Sequence, residues 1–549
     1  MVRLSKETML WYIGNMKRPE TFFWYDIETF GLNPRHDRIA QFAGVRTDTN
    51  LSVIEEPTIL YCTLSDDYLP DPLSCMVTGI SPQEVMEKGI VESEFIGKIN
   101  EILSVPGTCA VGYNTLRFDD EFLRNVLFRN FLDPYRREYD KGNSRWDLLD
   151  LARAAHDLRP RGINWPKKSS SGLPSFKLTD LTEANGIAHE SAHDAMSDVW
   201  ATLELARLIK WRQPKLFAYY LDLRDKNKVR QLLEVPTGAP VVYTAAPFTR
   251  IEGCTTVVLP ITASSQNSNS IIVFDLMQDP LPLIAASEAF GELQASRERE
   301  DALRAMVAEI TTVLTQEGDR EKTLERARLL LEETADLMAD LPRLFTANDK
   351  LLGINGVHKV AINRVPFLSP LSVLEEDVAS RLGIDVARCE RHRELLMEHD
   401  MLAVNLRKAA DADEYPVIDD VDFSLYSGPF FNNADAYVFS QIRQGDPETL
   451  WKTRFEFDDS RGHEMLWRYL CRNWPHAMDE RQTQRWQSFC AQRLIQPPDK
   501  NATTLSFFAR KITEHMNSKD ISPKQKEVLA KLGEYGRQLC ERVGLTYPE

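Results

Sequence analysis

Phe22-Phe23-Trp24-Tyr25-Asp26-Ile27-Glu28-Thr29-Phe30-Gly31 is an aromatic and β-branched run closed by glycine, the composition of a strand interior. Side chains alternate along a strand, so Asp26 and Glu28 share a face, two residues apart, with apolar neighbours on either side. Desolvation and like-charge repulsion would protonate such a pair unless a cation sits between them. Hard oxygen ligands at this spacing suit Mg²⁺ or Mn²⁺. For an isolated D-x-E, a strand end that reaches solvent is the plainer alternative, and the surrounding sequence has to decide.

Outward from this stretch, residues 38–48 and 59–62 suggest two more strands, forming an antiparallel meander beside the first. Ser81-Pro82-Gln83-Glu84 starts a helix: Ser81 caps, Pro82 fits the first turn and Glu84 complements the dipole. Ala110-Val111-Gly112-Tyr113-Asn114 is a short buried strand leading into a helix that opens at Thr115-Leu116-Arg117-Phe118-Asp119-Asp120-Glu121. Asp119 is thus an acid on the first turn of a helix emerging from a core strand, where sheet folds commonly place sites; dipole compensation explains such an acid equally well. In His189-Glu190-Ser191-Ala192-His193-Asp194-Ala195-Met196-Ser197-Asp198 the helical spacing of Met196, Val199 and Leu203 brings Asp198 close to an apolar face, with His193 just before the helix. A histidine next to three spaced acids is a candidate general base.

At 549 residues the chain exceeds one ordinary domain, and domain sizes predict roughly three. The eight cysteines form no C-x-x-C or Cys/His cluster, which argues against a disulfide framework or zinc site and for a reducing, cytoplasmic setting. No apolar run is long enough for a membrane span, and no secretory leader is expected. The net charge of −16 taken alone speaks against a polyanionic partner. The acidity is segregated, however: residues 281–342 carry 14 Asp/Glu against 7 Lys/Arg, while 207–230 carry 8 Lys/Arg against 2 Asp.

Together, D-x-E (Asp26, Glu28), N-x-x-x-F-D (Asn114, Phe118, Asp119) and H-x-x-x-x-D (His193, Asp198) resemble the three motifs of the DEDDh exonucleases. The resemblance narrows to the bacterial exonuclease I family through Tyr25-Asp26-Ile27-Glu28-Thr29-Phe30-Gly31, Asn143-Ser144-Arg145-Trp146-Asp147-Leu148-Leu149-Asp150, Gly162-Ile163-Asn164-Trp165-Pro166 and Gly172-Leu173-Pro174-Ser175-Phe176. It implies an α/β RNase H-like exonuclease domain with a mixed sheet flanked by helices (1–212), a small SH3-like β-barrel domain (213–366) and an all-α C-terminal domain (367–549), clamped around a single strand. The implied activity is 3′–5′ hydrolysis of single-stranded DNA to 5′-mononucleotides, processively, in DNA repair and recombination. Two Mg²⁺ ions would serve it, with Mn²⁺ a substitute. In this reading Asp26 and Asp198 hold the metal that activates water, Glu28 and Asp119 complete the pair of sites, and His193 takes the proton, so activity should fall below about pH 6.5. The family spacing selects His193 over His189, and the position after Phe118 selects Asp119 over Asp120.

Single-strand binding needs cations for phosphates and aromatic faces for bases. Residues 124–177 interleave both: Arg124, Tyr135, Tyr139, Arg145, Trp146, Arg153, Arg159, Trp165, Phe176 and Lys177. By resemblance Arg124, Tyr135, Tyr139, Arg153, Arg159, Phe176, Lys177 and Lys226 match positions that touch the strand, as do Glu28 and His193 within the site. The family further implies a monomer and contact with the bacterial single-stranded DNA-binding protein. One departure is the acidic helical stretch 288–341, expected as a solvated hairpin turning at Gly318-Asp319. The rival readings are a DEDDh exoribonuclease or proofreading exonuclease, whose motifs are the same, and a non-catalytic single-strand-binding scaffold.

Overall fold

The computed structural model describes residues 20–189, 194–235, 238–317, 351–412 and 418–548. Its first sheet has the order β3-β2-β1-β4-β5. β1 (Thr21–Thr29), β2 (Ile39–Thr47) and β3 (Thr58–Tyr61) form the expected antiparallel meander, and β4 (Thr108–Gly112) and β5 (Ser144–Asp147) continue it in parallel. β1 is the middle strand and is buried on both faces, which is why it shows a nearly continuous aromatic run. Phe22 and Trp24 join a core with Val111 and Trp146, and Phe23, Tyr25 and Ile27 join another with Phe42, Phe95 and Phe122.

The helices that position the site are α1 (Glu92–Leu103), α2 (Asp119–Arg129), α3 (Leu148–Leu158) and α4 (Ala195–Arg212). α4 lies across β1 and β2. Ser81 caps the helix Pro82–Lys88 as its sequence suggests, accepting from Glu84 N.

The second sheet is antiparallel, in the order β10-β6-β7-β8-β9. Its strands are β6 (Val241–Thr244), β7 (Thr255–Ala263), β8 (Ser270–Asp275), β9 (Val357–Ala361) and β10 (Phe367–Pro370). Two expectations are corrected around it. The helical region expected from 367 begins instead with β10, because Phe367 and Leu368 are buried by pairing with β6, and Pro370 is tolerated on an edge strand. The sequence of residues 218–233 predicts one basic helix linking the first two domains; the chain instead forms two, Pro214–Asp222 and Lys226–Leu232, since Asp225 accepts from Asn227 N and restarts the chain.

α5 (Leu281–Glu317) is one helix of 37 residues. Asn405, on the helix Leu402–Asp411, donates to Ser287 O at 2.9 Å and so pins its first turns. The turn expected at Gly318-Asp319 and the second helix of that stretch lie outside the described residues. The C-terminal region is helical and includes α6 (Gly462–Asn473), α7 (Glu480–Ile495) and α8 (Pro523–Val543). Trp467 and Trp486 meet edge to face at 5.7 Å in a core shared with Phe30, Leu64 and Tyr68 of the first domain. Among the described residues no helix is long and apolar enough to cross a membrane.

Candidate active site

The face of β1 that buries Phe22 and Trp24 continues with Asp26 and Glu28, because the period is two. Where a further apolar residue of α4 would meet that face, the helix carries Asp198. Carboxylate oxygens of Asp26, Glu28 and Asp198 lie within 4.8 Å of one another. The fourth acid arrives from a different direction. Pairing of β1 with β4 ends at Trp24, and past that point the Ile27 N–H donates to Asp119 Oδ1 at 3.0 Å.

The loop between β4 and α2 is shaped for this. A Cβ on Gly112 would sit 2.6 Å from Tyr25 O, so only glycine lets the chain turn so close to β1. Asn114 takes a left-handed φ of 68°, which asparagine tolerates. Asp147 then receives Asn114 N at 2.9 Å and Leu116 N at 3.1 Å while capping α3 through Leu149 N. The sequence reading gave Asp147 no role; an acid directly before a helix was its only signal.

The electrostatics set Asp119 apart from its neighbour. Burial first, then Asp119, Glu28, Asp198 and Asp194, push Asp26 well above the usual carboxylate range. Glu28 is pushed up to about 8 by burial and then by Asp198, Asp119 and Asp194. Burial also raises Asp119, against the backbone N–H groups that favour its charge. Asp120 goes the other way: burial is outweighed by Arg137 and Arg145, each 2.7 Å away, and its carboxyl stays below the ordinary value. An all-oxygen set of closely spaced carboxylates fits a hard divalent cation, which would reverse the upward shifts.

His189 Nε2 lies 2.5 Å from Asp198 Oδ1, and its Nδ1 lies 3.2 Å from Thr182 Oγ1. His193, expected as the base, lies outside the described residues. Asp194 was also passed over: it caps α4 through Ser197 N and adds to the negative field at Asp26 and Glu28.

The residues expected along the strand divide by exposure. Tyr139 is 65% exposed, and Lys177 and Lys226 are exposed. Arg159 borders a cleft of about 460 Å³ lined also by Lys215, Tyr219 and Phe367. Tyr135, Arg153 and Phe176 are half-buried, with the Arg153 guanidinium 5.9 Å from the Phe176 ring centre and bonded to Asp150 at 2.7 Å. Arg124 is buried and grips Glu138 through two bonds of 2.8 Å. Arg145 and Trp146, counted in the same interleaved segment, are interior: Arg145 pairs with Asp120 and Glu138, and Trp146 is fully buried against Phe217 and Tyr220.

Three family models match in succession: "Exonuclease" over 23–206, "Exonuclease I SH3-like domain" over 224–303 and 326–410, and "Exonuclease I C-terminal domain" over 419–539. The chain is 39% identical to exodeoxyribonuclease I of Escherichia coli K12 over 474 residues, 86% of this chain and 89% of that protein. It is similar to the structure of E. coli exonuclease I in complex with a dA16 oligonucleotide, with TM-score 0.79 and 35% identity over 95% of this chain and 100% of the other. It is likewise similar to a structure described as SSB/Exonuclease I with the inhibitor CFAM, with TM-score 0.78 and 34% identity over 95% and 100% of the two chains. Membership of the exonuclease superfamily implies use of divalent metal. With an exonuclease domain, an SH3-like domain and a helical C-terminal domain in that order, the chain belongs to the exonuclease I family.

Proposed function

We propose that the chain is a 3′–5′ exonuclease that releases 5′-mononucleotides from single-stranded DNA, acting processively in DNA repair or recombination. The observation that carries this reading is the convergence of Asp26, Glu28 and Asp198 within 4.8 Å, with Asp119 fastened to the strand between them. These four would hold two divalent ions, Mg²⁺ by preference and Mn²⁺ as a substitute. When bound, such a pair supplies a nucleophilic water at neutral pH and neutralises charge on the pentacovalent phosphate and the leaving oxygen. The chain's own groups do the rest. Asp119, held by Ile27 N–H, and Asp198, held by His189, are fixed in orientation before any ligand arrives. His193, by its place in the motif, takes the proton from the attacking water. Lys177, Lys226 and Arg159 meet phosphates, and Tyr139, Tyr135 and Phe176 offer faces to bases. In this reading Arg124 and Arg153 reach the strand only by loosening their grips on Glu138 and Asp150.

The division into 1–212, 213–366 and 367–549 is kept with one adjustment: the last boundary moves to between 410 and 419, where the SH3-like match ends and the C-terminal match begins. A bacterial single-stranded DNA-binding protein as partner, a monomeric state and a cytoplasmic setting belong to the same proposal; all eight cysteines are free and buried, which suits a reducing compartment. The test follows mononucleotide release from 3′- and 5′-labelled single strands, with Mg²⁺ or with EDTA, on DNA and RNA of one sequence. The 3′ label is expected to leave first, only with Mg²⁺, and at least about tenfold faster from DNA, since a site fitted to one sugar discriminates by that order. Faster release from RNA would favour the exoribonuclease reading, and release in EDTA would overturn the metal site.

A further inference from the structure

The first turn of α2 carries three consecutive acids that point to three different tasks. Asp119 bonds to β1, and Asp120 bonds to Tyr25, Arg137 and Arg145 within the first domain. Glu121 reaches the other two domains. Its Oε1 accepts from Arg364 Nη2 at 2.8 Å, and Arg364 ends the short turn Ile362–Arg364 that follows β9. Its Oε2 accepts from the Tyr426 hydroxyl at 2.6 Å, and Tyr426 ends the turn Val421–Tyr426 at the start of the C-terminal region. Arg124, one turn on, bonds to the same Oε1 at 2.9 Å. A second strut runs beside it, from Arg145 Nη2 to Asn363 O at 3.1 Å.

We propose that Glu121 is the positioning residue at which the three domains are fastened together, so that the clamp is closed by the same helical turn that presents Asp119. The geometry is specific to a fastening. Its carboxylate accepts from one donor of each domain, Arg124, Arg364 and Tyr426, and is only 9% exposed. Charge-assisted bonds made away from bulk water are the strong ones. Both outer donors sit at the ends of short 3-10 segments, and each can leave the carboxylate by rotating its own side chain. Arg364 is 44% exposed at its side chain and Tyr426 is 41% exposed, so each has solvent to move into. Loosening either contact relaxes the clamp locally, at the segment that carries the donor, while Asp119 keeps its bond to β1 and the remaining contacts between the domains hold. The strand would then escape faster between cleavages, with the cleavage step itself unchanged. This inference rests on the exonuclease reading above for the identity of the strand.

The test uses the full chain with Arg364→Ala, Tyr426→Phe, their double variant, Glu121→Ala and Glu121→Gln. Dissociation of single-stranded DNA is measured without divalent metal, first-nucleotide release is measured with excess enzyme and Mg²⁺, and thermal unfolding is followed in parallel. Arg364→Ala and Tyr426→Phe should each speed dissociation about threefold and leave first-nucleotide release within about twofold. The double variant and Glu121→Ala should converge on one value, about tenfold faster, because removing both donors or the one acceptor breaks the same pair of contacts. Glu121→Gln, which keeps an acceptor oxygen, should recover most of the native dissociation rate. A double variant that dissociates at the native rate would overturn the proposal, as would a Tyr426→Phe effect that persists undiminished on Glu121→Ala. A native chain that releases no nucleotide would instead defeat the exonuclease reading, and the dissociation rates would still judge the fastening.

Discussion

Two clusters of buried carboxylates in this molecule have opposite fates. In the candidate active-site cluster, Asp26, Glu28 and Asp119 are all pushed upward, by burial first and then by neighbouring carboxylates. In the other, Asp67 of the first domain meets Asp420 and Asp422 of the C-terminal region beneath α6 and α7. Arg472 donates to Asp67 at 2.7 and 3.0 Å and to Asp422 at 2.6 and 2.9 Å. Arg468 bridges Asp420 and Asp422, Arg493 reaches Asp420 at 3.0 Å, and Arg38 lies 3.7 Å from Asp67. Burial raises Asp67 and Asp422 as well, but Arg472 and its neighbours outweigh it and hold both well below the usual range. Residue type and depth are the same in the two places, so the difference lies in the counter-charge. One cluster carries its cations as side chains and works as a clasp between domains. Among the described residues no arginine or lysine is paired with the other, which in the proposed reading is completed by an ion from solution.

The comparison breaks first at Asp26. Asp26→Ala should lower nucleotide release by about a thousandfold, the loss of several kcal/mol of charge stabilisation, while single-strand binding stays within about tenfold. Turnover above a few per cent of native would mean that the cluster is not the metal site. At the clasp the roles reverse. Asp422→Ala removes the carboxylate shared by two buried guanidinium groups and should cost about 3 kcal/mol of stability by thermal unfolding, with first-nucleotide release per folded molecule within about twofold of native. An unchanged melting temperature would show that the buried arginines find other partners and that the clasp holds nothing.

How much of this was visible in the sequence follows the same division. Asp26 and Glu28 could be placed on one face because a strand's period of two fixes it, and Asp119 and Asp198 in the first turns of their helices, where the motif resemblance rather than periodicity singles them out. His189 could not be placed on Asp198, since the path of a loop leaves no periodicity to read. Arg124 and Arg145 looked like a phosphate-binding series because cations among aromatics give no sign of depth; Glu138, which takes both inward, lies 14 residues beyond Arg124. β10 was missed because four residues are too few for either period to declare itself. The clasp was out of reach altogether: Arg472 and Asp67 are 405 residues apart, and only the docking of one domain on another brings them together.

The gentlest way to sharpen the comparison is to titrate it. Glu28 holds its proton up to about pH 8 in the native chain, whereas an unfolded glutamate gives it up near pH 4.3. Between those values the native state binds more protons than the unfolded one, so this group's contribution to stability declines as pH rises from about 4 to about 8. The clasp has the opposite slope. Asp67 and Asp422, held low by Arg472, stabilise the fold above about pH 4 and lose that contribution as pH falls below it, as does Glu92, 3.9 Å from Arg38 and set low at about 2 because Arg129 and Arg38 outweigh its burial. The contributions of these groups to the metal-free protein are therefore together greatest near pH 5, not at neutrality. Glu28→Gln removes one of the two slopes: in EDTA it should stabilise the chain by about 1–2 kcal/mol at pH 8 and by almost nothing at pH 4.5. Mg²⁺ should raise the native melting temperature more at pH 8 than at pH 5.5, because the ion needs the carboxylates deprotonated, and it should raise that of Glu28→Gln less. Melting curves of the native chain and Glu28→Gln that run parallel from pH 4.5 to 8.5 would remove the electrostatic strain from the active-site cluster, and with it the contrast to the clasp.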